Sequence, residues 1–299
     1  MSIKKLFAYT ALTLFVIPVG LLSYPVGYYT LDDSYQASTT RENYRIKKDS
    51  VGAYLINLDR SKERYNYIAK NLKKLGIKFE RISAVDGSTF SKSKIDEVVD
   101  FKSYEQFLGH TPKLGTIGCA LSHYQVWQTF LNSDLEYAVV FEDDVSFDPI
   151  KLKSAIDQII AIPNYWDIAG FELSHNGTPL AIKPLKDGHQ LSTYLTEITH
   201  TGAYIINRKA ARNLLSKALP IKMPVDHYFT RTWELDLKFT GVENPRLVYQ
   251  TFGDSEIDQS QKSIGSNKII KINIHRAMFK LQSYVIRFCY NLKQYFENK

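Results

Sequence analysis

The stretch Tyr137-Ala138-Val139-Val140-Phe141-Glu142-Asp143-Asp144 places five consecutive apolar residues directly before three acidic ones. A short, uninterrupted apolar run of this kind is typical of a strand that is buried on both faces of a parallel sheet. Ligands in open α/β sheets bind beyond the carboxyl ends of the strands, and the three carboxylates follow directly at such an end. The stretch therefore predicts both the class of the fold and the location of a candidate site.

Further strands and helices alternate along the chain on both sides of this stretch. An apolar strand is predicted over 52–58, a helix over 64–76 with Ser61 as its cap, and a strand over 78–82. Later helices are predicted over 118–131, 149–160 and 209–215, and later strands over 166–171 and 203–206. Strands that alternate with helices of this length predict an α/β sandwich with a mostly parallel central sheet.

The 299 residues divide into one predicted domain and three flanking segments. Residues 51–266 hold the alternating elements and form the domain. Residues 1–30 are hydrophobic, residues 31–50 are polar without a period and are predicted to be a linker, and residues 267–299 are basic and amphipathic. The length suffices for one large α/β domain with these extensions.

The net charge of +7 is concentrated at one end of the chain. Residues 268–299 contain seven basic residues and one acidic residue, a net charge of +6, which leaves +1 for the other 267 residues. A basic groove across the fold, as nucleic-acid binding requires, is therefore not expected. The charge instead predicts an anionic partner for the tail, and no nucleic acid.

The segment Leu6–Tyr29 carries no charged side chain and follows Lys4 and Lys5. Its length matches the roughly 20 residues that cross a bilayer, and it is interpreted as an uncleaved membrane anchor. A cleaved signal peptide and a buried or peripheral hairpin are the alternatives. The basic residues on its two flanks favour a single-pass protein with its domain on the cytoplasmic side.

The C-terminal tail has the periodicity of an amphipathic helix. Its apolar residues recur every three or four positions, at Met278, Leu281, Val285, Phe288, Leu292 and Phe296. The opposite face holds Arg276, Lys280, Arg287, Asn291 and Gln294. Two arrangements are compatible with the pattern: a helix docked on the core with a solvated basic face, and an interfacial helix on anionic lipid.

The triplet Glu142, Asp143 and Asp144 is a candidate metal site. Adjacent carboxylates repel one another unless a cation neutralises them, and Mn²⁺ or Mg²⁺ accepts oxygen ligands from both carboxylates and diphosphates. The alternative is a solvated turn or an acidic cap for the helix that begins at Pro149. The two cysteines, Cys119 and Cys289, are too few for a disulfide framework, and neither has another Cys or a His at metal-ligand spacing.

Five motifs resemble those of glycosyltransferase family 25 and occur in the order of that family: Tyr54–Arg64, Val85–Gly87, Gly118–His123, Val139–Val145 and Gly202–Ala210. The resemblance extends over about residues 52–266, and it includes Pro224–Asp226, Gln250, Asp258, Gln259 and Ser263–Gly265. It departs from the family at Thr116, where Glu or Lys is usual, and in the N-terminal hydrophobic segment. It implies a GT-A-like, Rossmann-type fold, a UDP-sugar donor and an acidic motif for Mn²⁺.

The resemblance also suggests roles for single residues. Glu142 and Asp144 point to the same side of an extended chain and are the first candidates for metal and donor contact, with Asp143 as an alternative ligand. Asp226 is the first candidate for the catalytic base, unless it caps a helix that begins at His227, and Glu172, just past a strand, is the second.

Seven further positions are expected to bind the donor. Arg60 and Arg64 reach the diphosphate or cover a helix surface, and Ser122 with His123 provides hydrogen bonds at the opening of a helix. The remaining positions match the family motifs and are Asn57, Asp86 and Gln250. His200, Thr201 and Gly202 are candidates for the acceptor side.

The resemblance implies transfer of a hexose, with inversion, from a nucleotide sugar to a saccharide. The family contains bacterial lipopolysaccharide and lipooligosaccharide transferases and collagen galactosyltransferases, so galactose from UDP-galactose and a lipid-linked or cell-surface glycan acceptor are expected. Another sugar nucleotide or a protein acceptor is the alternative among enzymes. A catalytically silent glycan-binding or scaffold protein of the same fold is the alternative outside them.

Overall fold

The computed structural model describes residues 50–177, 179–243, 245–251 and 274–298. The predicted anchor at 1–30, nearly all of the predicted linker at 31–50, and Asp258, Gln259 and Ser263–Gly265 lie outside the described residues. Among the described helices, none combines the length and the apolar character that crossing a membrane requires.

The described chain contains ten strands: β1 Val51–Asn57, β2 Phe79–Ser83, β3 Tyr137–Glu142, β4 Val145–Phe147, β5 Ile168–His175, β6 Leu180–Pro184, β7 Gln190–Thr193, β8 Ile198–Asn207, β9 Phe239–Glu243 and β10 Val248–Gln250. Eight of them form one sheet in the order β2-β1-β3-β8-β5-β9-β7-β6, and β4 pairs with β10 in a small second sheet. The pairing directions make six of the eight strands run one way, with β7 and β8 reversed. The predicted mostly parallel sheet is confirmed.

The described helices are α1 Lys62–Leu75, α2 Lys92–Val98, α3 Phe101–Leu108, α4 Leu114–Leu131, α5 Pro149–Ile160, α6 Arg208–Ser216, α7 Val225–Phe229, α8 Thr232–Leu235 and α9 Ile274–Glu297. Alternate residues of β1 and β3 enter two apolar clusters on opposite faces of the sheet. One cluster includes α1 and α5, and the other includes α4 and α6. Both faces are therefore covered, which explains the unbroken apolar run of β3.

Helix α4 begins at Leu114, four residues before the predicted start at Gly118. The residue at its N-cap is Lys113, whose side chain accepts no hydrogen bond from the helix, so the sequence contains no capping residue to mark the start. Ser122 and His123 consequently lie in the middle of the helix, and the expectation that they occupy a helix opening is wrong.

The predicted amphipathic tail helix is confirmed as α9, but its orientation differs from the docked arrangement expected above. The polar residues Ser283, Arg287 and Asn291 are buried against the domain, whereas Met278 and Val285 are exposed. The polar face is thus only partly solvated: Lys280 is exposed, whereas Ser283, Arg287 and Asn291 have hydrogen-bond and ion-pair partners on the domain.

A close backbone contact holds the first half of α4 against a short turn at Gly87–Thr89. A Cβ atom at Gly118 would lie 2.3 Å from the Val85 carbonyl oxygen and 2.8 Å from the Gly87 nitrogen, so the contact requires glycine. Glycine inside a helix ordinarily reduces stability, and it is retained here because the backbones approach so closely.

We therefore expect Gly118→Ala to destabilise the fold by about 1–3 kcal/mol through overpacking. A Gly-to-Ala change inside an unconstrained helix has the opposite sign and stabilises by roughly 0.5–1 kcal/mol. Urea unfolding followed by circular dichroism measures the difference. Unchanged or increased stability would show that the two backbones are not in contact.

Candidate active site

The three carboxylates lie where β3 turns into β4, between two adjoining cavities. Glu142 is the last residue of β3, and Asp143 and Asp144 form the turn. Glu142 and Asp144 line both cavities, whereas Asp143 lines only the first. Of the three carboxylates, Glu142 and Asp144 therefore reach both cavities.

The first cavity lies beyond the carboxyl end of β1 and beside α4. It brings together nine of the predicted donor and metal residues, which come from five separate segments: Arg60, Arg64, Asp86, Ser122, His123, Glu142, Asp143, Asp144 and Gln250. The solvated-turn alternative for the acidic triplet is excluded for two of its members, because Asp143 and Asp144 are 8% and 7% exposed.

Asn57 is the predicted donor residue that does not line this cavity. Its buried side-chain amide donates to an Asp143 oxygen at 2.6 Å and to the Ser61 carbonyl at 3.0 Å, and its oxygen accepts from Arg81 at 2.9 Å. The structure thus places Asn57 behind Asp143, where it orients that carboxylate. Ser61 occupies the N-cap of α1 but makes no side-chain capping bond, contrary to the prediction.

The two arginines after β1 each contact an acidic wall residue. Arg60 pairs with Asp86, and the Arg64 guanidinium lies 3.3 Å from an Asp143 oxygen. Burial raises the pKa of Asp143, and the contacts with Asn57 and Arg64 oppose that shift. Both guanidinium groups therefore lie at the cavity wall, and neither merely covers a helix surface.

Asp144 has one satisfied and one unsatisfied carboxylate oxygen. Its Oδ2 accepts from Gln250 at 2.9 Å, whereas its buried Oδ1 has no hydrogen-bond partner among the described residues. Burial, followed by the neighbouring Glu142 charge, raises the pKa of Asp144 to about 6. A cation in contact with Oδ1 would relieve both the missing partner and the repulsion.

A chain of buried hydrogen bonds ends at Glu142. Trp127 donates its indole N–H to the Tyr204 hydroxyl at 2.9 Å, and Tyr204 contacts the His123 Nδ1 at 2.9 Å. His123 Nε2 lies 3.2 Å from Glu142 Oε1, which also accepts from Thr201 at 2.6 Å. Because an ionised carboxylate only accepts hydrogen bonds, the His123 Nε2–H donates to Glu142.

These contacts set the charge of Glu142. Removal from water acts to raise the pKa of Glu142, but the hydrogen bond and electrostatic attraction of His123, the hydrogen bond from Thr201 and the electrostatic attraction of His200 together lower it. Glu142 is therefore held as a carboxylate at neutral pH.

The hydroxyl of Ser122 joins α4 to the cavity wall. It donates to the Gly118 carbonyl at 2.7 Å and accepts from the Val85 N–H at 2.8 Å.

The expectation that neither cysteine has a histidine at ligand spacing is wrong. Cys119 and His123 are one helical turn apart, and with Glu142 they offer three ligand atoms within 4.8 Å of one another. Desolvation raises the pKa of the Cys119 thiol well above its usual range, and both nitrogens of His123 already have partners. The carboxylate oxygens are therefore the better ligands for Mn²⁺ or Mg²⁺.

The second cavity contains both candidates for the base, Asp226 and Glu172, together with His200. The backbone N–H of His200 donates to an Asp226 oxygen at 3.4 Å, and the His200 ring contacts Glu172 at 2.8 Å. His200 has a φ of 76°, a left-handed conformation that is uncommon outside glycine. This conformation lets one residue contact both carboxylates.

The family profile of "Glycosyltransferase family 25 (LPS biosynthesis protein)" matches residues 51–229, which include all the residues of the two cavities discussed above except Gln250. The chain belongs to glycosyltransferase family 25. The match covers 179 of the 299 residues, counted from 51 to 229.

Two relatives show the extent of the similarity. A glycosyltransferase 25 family member of Aedes aegypti is 31% identical over 198 residues, which are 62% of this chain and 32% of the relative. Human procollagen galactosyltransferase 2 is 29% identical over 222 residues, which are 66% of this chain and 34% of the relative. The chain thus spans about a third of the length of these relatives.

Among solved structures, TarS 1-349 of S. aureus, crystallised in complex with UDP-GlcNAc, has a TM-score of 0.43 and 12% identity. The alignment covers 83% of this chain and 73% of TarS. The membership in family 25 is therefore based on the sequence match.

Two predictions about the family 25 residues of the second cavity are corrected by the structure. Glu172 does not follow its strand but lies inside β5, between two irregularities in the pairing with β8. Asp226 does not cap a helix at His227, because α7 begins at Val225 with Pro224 at the N-cap. Asp226 is the second residue of α7, and its oxygen accepts from the His227 N–H at 2.9 Å.

Other residues of the second cavity were missed by sequence reasoning. Tyr104, His110 and Lys113 line it from α3 and the segment before α4. None of them follows a predicted strand or belongs to one of the five motifs, and only the path of the chain in three dimensions brings them to the cavity.

The pair of His200 and Glu172 should make stability depend on pH. The hydrogen bond that the His200 ring donates to Glu172 raises the pKa of His200, and the charges of Asp226 and Glu142 add to this. A raised histidine pKa contributes stability that is complete below the unfolded value and is lost as pH rises through the folded value. Glu172→Gln should therefore cost more stability at pH 6 than at pH 9, as measured by urea unfolding.

The matched control is the same change in a His200→Asn protein, where the cost should not differ between the two pH values. An equal cost at both pH values in the presence of His200 would contradict an ion pair between these two side chains.

Proposed function

We propose that this family 25 chain is an inverting, metal-dependent glycosyltransferase that moves galactose from UDP-galactose to a saccharide of a cell-surface glycan. The observation that carries the proposal is the acidic edge of β3, where Glu142 and Asp144 lie between a cavity that also contains Arg60 and Arg64 and a cavity that also contains the candidate bases Asp226 and Glu172. A nucleotide-sugar donor on one side and an acceptor hydroxyl on the other would meet at this edge.

The first cavity suits the donor. Arg60 and Arg64 provide positive charge beside the position expected for a diphosphate, since they follow the first strand of the sheet. Asp86 and Ser88 line the same wall and offer acceptor oxygens and a hydroxyl group to the hydroxyls of a ribose or sugar.

The acidic edge fits a hard divalent cation. The unpartnered Oδ1 of Asp144 and the carboxylate of Glu142 are the ligands we propose, and Gln250 orients Asp144 from the opposite oxygen. Mn²⁺ or Mg²⁺ bound there would neutralise the charge that develops on the leaving diphosphate. The oxygens of Asp143 already accept hydrogen bonds from Asn57 and Arg64, so we expect Asp143 to orient its neighbours and not to bind the metal.

The second cavity suits the acceptor. Inversion requires a base that takes the proton of the acceptor hydroxyl on the side opposite the leaving diphosphate. We assign this role to Asp226, because Glu172 is engaged by the His200 ring whereas Asp226 accepts only from backbone N–H groups of the described residues. Glu172 then positions His200, whose N–H orients Asp226.

The identities of sugar and acceptor are inferred from the relatives. Several of them are named procollagen galactosyltransferases, which supports galactose as the sugar. The family description refers to lipopolysaccharide biosynthesis, which supports a glycan on a lipid as the acceptor.

The proposal is tested by incubating the full chain with UDP-galactose, UDP-glucose and UDP-N-acetylglucosamine, with lipooligosaccharide or a hydroxylysine peptide as acceptor. Release of UDP is measured after treatment with EDTA and again after addition of Mn²⁺. The fastest release is expected from UDP-galactose with lipooligosaccharide and Mn²⁺. A folded protein that binds these ligands but releases no UDP would instead be a silent binding protein.

Replacement of Asp144 should separate function from stability. Asp144→Asn removes a proposed metal ligand and should lower Mn²⁺-dependent turnover on the order of 10²-fold or more. It also removes repulsion with Glu142 and Asp143, so the metal-free protein should become more stable at pH 8. Asp134→Asn, a change at an exposed loop residue, should alter neither quantity. Full turnover in Asp144→Asn would exclude Asp144 as a ligand.

Replacement of Asp226 tests the base. Asp226→Asn keeps an acceptor oxygen for one of the two backbone N–H groups, which bond to different Asp226 oxygens, but it cannot take a proton, so kcat should fall by at least ~10²-fold. The KM for UDP-galactose should stay within about twofold, because Asp226 does not line the first cavity. Glu172→Gln serves as the comparison, and a larger loss of kcat in that protein would transfer the role to Glu172.

A further inference from the structure

Helix α9 docks on the domain mainly through polar side chains, with Phe279 packed against Phe107 beside them. Ser283, Arg287 and Asn291 are spaced by four residues, and all three are buried, at 8%, 5% and 8% exposure. Residues at this spacing lie on one face of a helix. The face that touches the domain is therefore the one that amphipathicity alone would assign to solvent.

Specific contacts fix this orientation. Arg287 lies 3.4 Å from a Glu197 oxygen and 5.1 Å from the centre of the Trp233 ring. Asn291 donates to the Tyr194 carbonyl at 2.7 Å. Rolling the helix over would separate Arg287 from Glu197 and would leave the buried Tyr194 carbonyl without its partner, and the loss of a partner is costly for a buried group.

The opposite face of α9 is apolar and exposed. Met278, Leu281, Val285 and Phe296 are spaced by three, four and eleven residues, and they are 47%, 43%, 39% and 67% exposed. Tyr284 at the border is 46% exposed, and Cys289 is exposed between Val285 and Phe296. We refer to Met278, Leu281, Val285, Cys289 and Phe296 as the outer stripe.

We propose that the outer stripe of α9 rests on the surface of an anionic lipid bilayer, with the polar face of the helix attached to the domain. An apolar stripe on a helix that lies parallel to a surface is the arrangement by which helices enter the headgroup region of a bilayer.

The charge of the tail selects this partner. Residues 268–299 carry a net charge of +6; Arg287 is buried against the domain, but Lys280 and Lys293 of α9 are exposed and attract anionic headgroups. The same charge disfavours a second copy of the chain, because packing stripe against stripe would bring two such tails together. The uncharged segment Leu6–Tyr29 is a second membrane-directed feature of the same chain.

The position of the outer stripe relative to the cavities agrees with an acceptor carried by lipid, a point that depends on the proposed function. A third cavity is lined by Leu281 and Tyr284 of α9 and by His227. His227 also lines the second cavity, next to Asp226. A glycan attached to a bilayer lipid would therefore approach the proposed base along the side of the domain that faces the membrane.

The natural cysteine in the outer stripe allows a direct test. The full chain is labelled at Cys289 with an environment-sensitive fluorophore and mixed with vesicles of phosphatidylglycerol or of phosphatidylcholine. A blue shift of the emission is expected with phosphatidylglycerol and should be smaller with phosphatidylcholine or at high salt. A labelled Cys289→Ser protein gives the background from Cys119. The signal is local to α9, so membrane binding by Leu6–Tyr29 does not produce it.

Two variants make the comparison quantitative. Val285→Glu replaces an aliphatic residue of the outer stripe and should weaken the partitioning of the label by roughly tenfold. Ile150→Glu makes the same kind of change on α5, where Ile150 is 81% exposed, and should leave the partitioning unchanged. Thermal unfolding confirms that both proteins fold.

Three results would overturn the proposal. Vesicles that bind the chain without a shift at Cys289 would show that α9 does not touch the bilayer. If the emission of the label were blue-shifted in the absence of vesicles, and this shift grew with protein concentration, a second copy of the chain would be bound on the outer stripe. A shift without vesicles that is independent of concentration would indicate a segment of the same chain. None of these readouts uses turnover, so they are independent of the proposed enzymatic function.

Discussion

Three adjacent carboxylates at the end of one buried strand are the constraint on which the rest of the structure depends. Their mutual repulsion is tolerated because each has partners from a different part of the chain. Glu142 is held by α4 and β8, Asp143 by β1 and α1, and Asp144 by β10. The antiparallel placement of β8 beside β3 is what brings Thr201 to Glu142, so the one reversed strand in the centre of the sheet is needed by the site.

The support of these carboxylates extends into the core. The contact between Glu142 and His123 depends on Tyr204 and Trp127, which are buried among the aromatic residues between the sheet and α4. The position of α4 depends in turn on the close approach at Gly118 and on the hydroxyl of Ser122. Ser122, His123 and Thr201 thus line a cavity and also hold other groups in place, and the ionised state of Glu142 follows from the contacts with His123 and Thr201.

The sequence was sufficient for five of the ten described strands, five of the nine described helices and nine of the ten predicted donor and metal residues of the first cavity, because burial on both faces leaves unbroken apolar runs and the acids follow such a run. It could not separate Asn57 from the cavity residues, since a motif does not show which side chain faces inward. It also could not show which face of α9 meets the domain. Hydrophobic periodicity shows that a helix has two faces, but the docked face depends on Glu197, Trp233 and Tyr194, which are distant in sequence.

Glu197 connects helix α9 to the second cavity. It accepts from the His227 ring at 2.9 Å and lies 3.4 Å from Arg287 of α9, and these contacts help to lower its pKa to about 2. His227 follows Asp226 directly in α7. Glu197 therefore contacts both helix α9 and the second cavity. If α9 were displaced, Glu197 would lose Arg287 as a partner while it still contacts His227. A polar docking face achieves this coupling, because ion pairs and hydrogen bonds define one orientation of the helix more strictly than apolar contact would.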